Sequence, residues 1–314
     1  VRVRDVPRVL TPPSRPSRAR RAWGAALAVC LSLLIALAVW AQPPAPRPSS
    51  LDARTWRFAD TPFGPLHTVV LTPRETPAAQ RVPLLVALHG WGESQRGVER
   101  GAWGWARDYE LGASDRALRT RPLAREAFLG CLTLPRFRRL RDDLAARPYR
   151  GLVVVSPYTP DLLDQPERAT VYARWLVEVL IPRARRELPV LPGRAATGID
   201  GVSLGGLLAL EAGLAHPEVF GVVGALQPAV RRRIPRVLAR LREGGPSQRI
   251  RLLTSDRDYL RPDVRALHRA LEGRRVAHDF VEVAGPHDYV FNRGAGGLEM
   301  LLFHDRALRG EPAR

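Results

Sequence analysis

The sequence predicts an α/β protein built on a mostly parallel central sheet flanked by helices. Three observations lead there. Short apolar and β-branched runs alternate along the chain with stretches of helical periodicity. Two of those runs, P-L-L-V-A-L at 83–88 and G-L-V-V-V-S at 151–156, are continuously apolar rather than alternating, as strands buried on both faces are. A third run, at 195–200, passes through Gly201 and Ser203 straight into an apolar helical stretch beginning at Leu204, which is a strand, a tight turn and a helix with a serine at the turn.

The chain has 314 residues, enough for one large domain or two small ones, and 45% hydrophobic content supports a full core. Its formal charge is +18, and all 49 basic residues are arginine. The arginines are spread over the whole chain without a nucleic-acid-binding motif, so nucleic acid is not expected as a partner. The excess reads as a usage bias that still favours anionic surfaces and substrates.

Residues 1–21 carry seven arginines and one aspartate, whereas 22–41 is apolar and uncharged, interrupted at Gly24 and Ser32. A run of about 20 residues matches the thickness of a hydrocarbon core. The basic flank keeps the N-terminus in the cytoplasm and sends the remainder outward. The expectation is a membrane anchor with the folded domain outside the cytoplasm. V-W-A at 39–41 offers small residues where a signal peptidase reads, so cleavage to a secreted or periplasmic protein is the alternative. A Pro-rich linker follows at 42–50, and the folded domain is expected over 51–314. With Cys30 inside the apolar run, only Cys131 remains beyond it; no internal disulfide is expected there, and Cys131 reads as a small buried apolar residue.

Within the domain, strands are expected at 66–71, 83–88, 151–156, 195–200, 220–226, 249–254 and 277–283. A helix over 167–187 places Tyr172, Leu176 and Leu180, and Val171, Trp175 and Val179, on one apolar face, with Pro182 ending or kinking it. The segment 93–150 is too long for one crossover helix. It carries Trp103, Trp105, Tyr109 and Phe128, and is either a helical lid or pocket wall, or structural padding.

Chemistry concentrates at three strand ends. G-V-S-L-G at Gly201 fits a nucleophile elbow, in which a sharply turned serine needs small neighbours two residues before and after it. A serine hydroxyl needs a base to take its proton, and the base needs a carboxylate to fix its tautomer. The run ending at Thr254 opens into S-D-R-D-Y-L, which offers Asp256 and Asp258. The run ending at Val283 opens into A-G-P-H-D-Y, which offers His287. Candidate oxyanion donors are the N–H of Leu204, at a helix N-terminus, and the N–H of Trp91, in the H-G-W-G turn after 83–88. His89 reads as a brace for that turn. His67, His216, His268, His278 and His304 read as structural.

From Pro83 onward the chain resembles the putative-esterase, enterochelin-esterase-like branch of the α/β-hydrolase superfamily. The resemblance is carried by L-H-G-W-G at Leu88, L-I-P at Leu180, G-V-S-L-G-G at Gly201, H-P-E-V-F-G at His216 and G-P-H-D-Y at Gly285. It implies an α/β-hydrolase fold with a helical insertion after the first strand that bears an H-G turn. It also implies ester hydrolysis through an acyl-enzyme, with Ser203, His287 and an aspartate as the triad and no metal or cofactor. The family pattern places the acid three residues after a small residue ending the strand; Ser255 in that place selects Asp258 over Asp256. The expected partner is a small-molecule ester, with an anionic one favoured by the charge. A serine peptidase on the same fold and a catalytically silent binding domain are the alternatives.

Overall fold

The computed structural model describes residues 47–74, 80–241 and 245–311. The basic stretch and apolar run expected over 1–41 lie outside the described residues. Among the described residues no helix is long and apolar enough to cross a membrane. From Arg47 onward the chain makes one compact unit, beginning within the stretch read as linker.

Eight strands form one sheet: β1 (Leu51–Phe58), β2 (Leu66–Pro73), β3 (Leu84–Leu88), β4 (Val153–Pro157), β5 (Thr197–Gly201), β6 (Val222–Leu226), β7 (Arg249–Arg257) and β8 (Asp279–Pro286). Their order is β1-β2-β4-β3-β5-β6-β7-β8. The β1–β2 and β2–β4 pairs are antiparallel and all the others are parallel. The longer helices are α1 (Leu111–Arg119), α2 (Leu134–Ala146), α3 (Pro166–Trp175), α4 (Leu204–Ala215), α5 (Arg261–Gly273) and α6 (Gly297–Ala307).

Helices cover both faces, which explains the unbroken apolar runs. Along β3, Leu84, Val86 and Leu88 join the core that contains residues of α3, α4 and α5, while Leu85 and Ala87 join the core that contains residues of α1, α2 and α6. The expected helix over 167–187 is present but not uniform. After α3, the turn Leu176–Leu180 is a wider π-turn, and Ile181–Glu187 resumes as α-helix with Pro182 near its start. Pro182 has no N–H to give, and the wider turn absorbs that missing bond. Leu176, Leu180 and Tyr172 are buried; Val179, assigned to the same face, is 41% exposed.

Chain direction sets the location of the site. From β3 the chain crosses to β4 on one side, whereas β5 leads to β6 on the other, so the loops leaving β3 and β5 diverge. A crevice opens at such a switch point, outside the carboxyl ends of the strands. Leu88 pairs in register with Gly201, which sets the H-G turn directly beside the serine turn.

Contact between those turns is close enough to demand glycine. A Cβ on Gly205 would lie 2.3 Å from the Leu88 carbonyl oxygen and 2.6 Å from that of His89, both backbone atoms that cannot rotate away. At Gly273, near the end of α5, a Cβ would meet nothing within 4 Å. Gly205→Ala is therefore expected to destabilise the fold by about 2 kcal/mol or more, with Gly273→Ala neutral or slightly stabilising. Urea denaturation checks both, and an unchanged midpoint for Gly205→Ala would contradict the packing described.

Candidate active site

Ser203 sits between β5 and α4 with φ 57° and ψ −114°, a region that non-glycine residues avoid. The conformation is held from three directions. Its N–H donates to the Leu226 carbonyl at 3.0 Å, and its own carbonyl accepts from the N–H groups of Ala229 at 2.9 Å and Leu207 at 3.1 Å. The strain, on the order of 1–3 kcal/mol, is thus offset by β6 on one side and α4 on the other. Leu204 and Trp91 are each the first residue of a helix, Leu204 of α4 and Trp91 of the short turn Trp91–Ser94. N–H groups at that position have no acceptor within their own helix.

The two acidic candidates of the β7 loop differ in what they touch. Asp258 Oδ1 lies 2.8 Å from His287 Nδ1, and the Asp258 side chain is fully buried. Its remaining capacity is filled by the Thr254 hydroxyl, at 2.7 Å from Oδ2, and the Leu260 N–H, at 2.9 Å from Oδ1. A carboxylate with these donors is acceptor-only, so His287 carries its proton on Nδ1 and turns Nε2 elsewhere. Asp256 does not meet His287. Its side chain is 52% exposed, and its Oδ1 accepts the N–H of Gly285 at 2.9 Å, bracing the loop that carries the histidine. Asp288 caps the turn that follows, accepting the Phe291 N–H at 3.0 Å.

Ser203 and His287 line one cavity of about 170 Å³, together with Gly90, Trp91, Glu93 and Tyr259 among others. Tyr259, 70% exposed, lies against the His287 ring with centroids 4.5 Å apart. A larger hollow of about 270 Å³ sits near the other end of β7, where Arg136 pairs with Glu299 at 2.8 Å. It contains none of the expected site residues. Among the described residues no group of three or more His, Cys, Asp and Glu side chains is placed to hold a metal.

His89 is fully buried and braces the turn after β3. Its Nε2 accepts the Thr159 N–H at 2.8 Å, which leaves the proton on Nδ1 for the Gly90 carbonyl at 3.0 Å. Burial pushes the His89 imidazole down to about 4, so it stays neutral at physiological pH. The other expected structural histidines with side-chain partners are His216 with Glu218, His268 with His278, and His304 with Asp200.

Residues of 93–150 support this turn from beneath. Trp105, fully buried, donates its indole N–H to the Leu88 carbonyl at 3.0 Å, and the Tyr109 hydroxyl accepts the Gly90 N–H at 3.1 Å. Neither Trp103 nor Trp105 lines the cavity, while Tyr109 does. Sequence reasoning passed over three further residues. Gln227 Nε2 donates to Ser255 Oγ at 2.6 Å and to the Pro286 carbonyl at 2.9 Å, tying the acid loop to the histidine loop. Glu93 and Tyr289 meet at the cavity wall, 196 positions apart in the chain. A lone polar residue in a loop carries no periodic signal that would single it out.

Residues 157–287, which run from the end of β4 to the histidine, match a family model described as putative esterase. No curated protein sequence matches the chain. Among solved structures, S-formylglutathione hydrolase from Staphylococcus aureus is similar with a TM-score of 0.55 at 13% identity, over 82% of this chain and 100% of that one. A ferulic acid esterase from Anaeromyces mucronatus gives 0.55 at 17% identity, over 85% and 96%. The enterobactin esterase of Shigella flexneri gives 0.53 at 19% identity, over 82% and 61%. At such identities the likeness is one of fold. The stretch from 157 to 287 is thus similar to the putative-esterase family, and the described residues have the α/β-hydrolase fold of these esterases.

Proposed function

We propose that this protein is a serine esterase that hydrolyses a small-molecule carboxylic ester through an acyl-enzyme. The observation that carries the reading is the pairing of a strained serine with a tautomer-fixed histidine at one cavity. Ser203 stands at a positive φ between β5 and α4, and His287 Nδ1 is committed to buried Asp258. In this reading His287 Nε2 takes the proton as Ser203 Oγ attacks the ester carbonyl. The developing oxyanion is met by the N–H groups of Leu204 and Trp91. The imidazolium, stabilised by Asp258, then protonates the leaving alcohol. Water, deprotonated by the same nitrogen, releases the acid from Ser203.

The family match over 157–287 supports ester chemistry, since that stretch carries the serine, the aspartate and the histidine. The three similar structures are an S-formylglutathione hydrolase, a ferulic acid esterase and an enterobactin esterase, so this fold serves chemically varied substrates. The excess of arginine favours an anionic ester. The basic stretch before the apolar run at 22–41 supports export, with the catalytic unit outside the cytoplasm and held by that run or released from it.

Two expected outcomes follow from this reading. Ser203→Ala should abolish nearly all hydrolysis of aryl and alkyl esters, leaving roughly 10³-fold acceleration over water, and Asp258→Asn should lower turnover by on the order of 10⁴ with the fold intact by circular dichroism. Asp256→Asn should cost only a modest amount of stability. A fully active Ser203→Ala would reject Ser203 as the nucleophile, a folded parent chain that takes no fluorophosphonate label would favour a binding domain without catalysis, and a crippled Asp256→Asn beside an active Asp258→Asn would exchange the two roles. For export, a reporter that works only outside the cytoplasm, fused after Arg314, should be active; activity of a cytoplasm-only reporter there would reject the topology.

A further inference from the structure

A buried carboxylate that the proposed reaction does not use stands in the cavity wall. Glu93 is 1% exposed, and both of its oxygens are taken by phenols. Oε2 accepts from the Tyr109 hydroxyl and Oε1 from the Tyr289 hydroxyl, the latter at 2.5 Å. Each phenol is itself an acceptor. Tyr109 Oη receives the N–H of Gly90 at 3.1 Å, and Tyr289 Oη receives Arg96 Nη2 at 2.8 Å. With their own protons directed to Glu93, the two phenols occupy both of its carboxyl oxygens. Burial, then the neighbouring carboxylate, pushes Tyr109 well above its usual range, and burial with the Glu93 hydrogen bond pushes Tyr289 up to about 12. Both stay protonated donors at any pH the enzyme meets.

The two arms reach opposite halves of the site. Gly90 immediately precedes Trp91, and Tyr289 lies two residues beyond His287. In the sheet, β3 and β8 are separated by β5, β6 and β7, so no shared ladder fixes the turn after β3 against the loop after β8. Contact at the first arm is tight: a Cβ on Gly90 would meet Tyr109 Oη at 3.0 Å and Glu93 Oε2 at 3.4 Å. The Tyr109 ring is wedged edge-on against buried Trp105, with centroids 4.9 Å apart.

We infer that Glu93 is a positioning residue that clasps the oxyanion turn to the histidine loop through Tyr109 and Tyr289, and so fixes the Trp91 N–H relative to His287. The inference rests on the serine-esterase reading and adds to it a part whose loss disturbs alignment rather than chemistry. Catalysis that depends on oriented donors is steep in geometry; a displacement of about 1 Å can cost on the order of 10²-fold in rate.

The test is steady-state kinetics on the full chain carrying Tyr109→Phe, Tyr289→Phe, both together, and Glu93→Gln. Each phenylalanine keeps the ring and removes only the hydroxyl. Expected is a fall in kcat of about 10-fold or more for each single variant with KM within about twofold, since alignment and not substrate binding is lost. The double variant should be no worse than the weaker single, because opening either arm opens the same clasp. A fluorophosphonate should still label Ser203 to one equivalent in every variant. Multiplicative losses in the double variant, a kcat within twofold of the parent, or a rise in KM at constant kcat would each overturn the clasp. Should Tyr109→Phe fail to fold, Tyr289→Phe, at the more accessible arm, and Glu93→Gln carry the same test. If Ser203→Ala is inactive while these variants are unimpaired, the clasp alone is overturned; if Ser203→Ala is active, the esterase reading itself falls.

Discussion

The site depends on one backbone constraint, the positive φ at Ser203. To pass from β5 into α4 within two residues, the chain must place a residue with a side chain where glycine is normally required. That conformation persists because its surroundings leave no alternative. Gly205 brings α4 against the carbonyl oxygens of Leu88 and His89, and Gly206 brings it against those of Gly201 and Leu226. The same contacts that allow the turn thus also set the distance between α4 and the end of β3. The serine, the start of α4 and the H-G turn form one packed unit, and the strain is held by the neighbouring strands rather than by the serine itself.

At the cavity, the two buried carboxylates Asp258 and Glu93 are held by hydrogen-bond donors rather than by arginine. Asp258 accepts from Thr254, from the Leu260 N–H and from His287; Glu93 accepts from two tyrosines. Directed hydrogen bonds compensate a buried charge and fix orientation at the same time, which an arginine on a flexible stem does less well. Arginine is abundant in this chain, yet where Arg96 approaches the site it bonds Tyr289 rather than Glu93. Asp256, half in solvent, is the contrasting case: the same residue type, two positions earlier, serves a backbone N–H and makes no hydrogen bond to the histidine.

The central strands were legible because burial on both faces leaves a continuous apolar run, as in β3 and β4, and the elbow was legible because its glycines fall at fixed offsets from Ser203. The first strand was not. β1, L-D-A-R-T-W-R-F, is an edge strand that pairs only with β2 and leaves most of its side chains in solvent, so nothing in its composition separates it from a loop. The helix at 167–187 was legible in extent but not in its π-turn, which answers to Pro182 and local packing. Segment 93–150 announced aromatic content but not direction. Trp105 and Tyr109 point under the H-G turn and hold its backbone, and their partners, Leu88 and Gly90, lie in a different element. Contacts such as Glu93 with Tyr289 join residues far apart in the chain, and no local pattern encodes them.

The central claim is that Ser203 carries the acyl group during turnover, and it can be observed directly. Rapid mixing of the full chain with a chromogenic aryl ester should give a burst of about one equivalent of phenol before the steady state, as expected where an acyl-enzyme accumulates. Quenched in acid, the protein should show an intact-mass increase equal to one acyl group, and peptide mapping should place it on Ser203. In Asp258→Asn the burst should slow in step with turnover, because the histidine loses its favoured tautomer. An acyl group mapped to any other residue, or hydrolysis at the parent's rate in Ser203→Ala, would contradict the account.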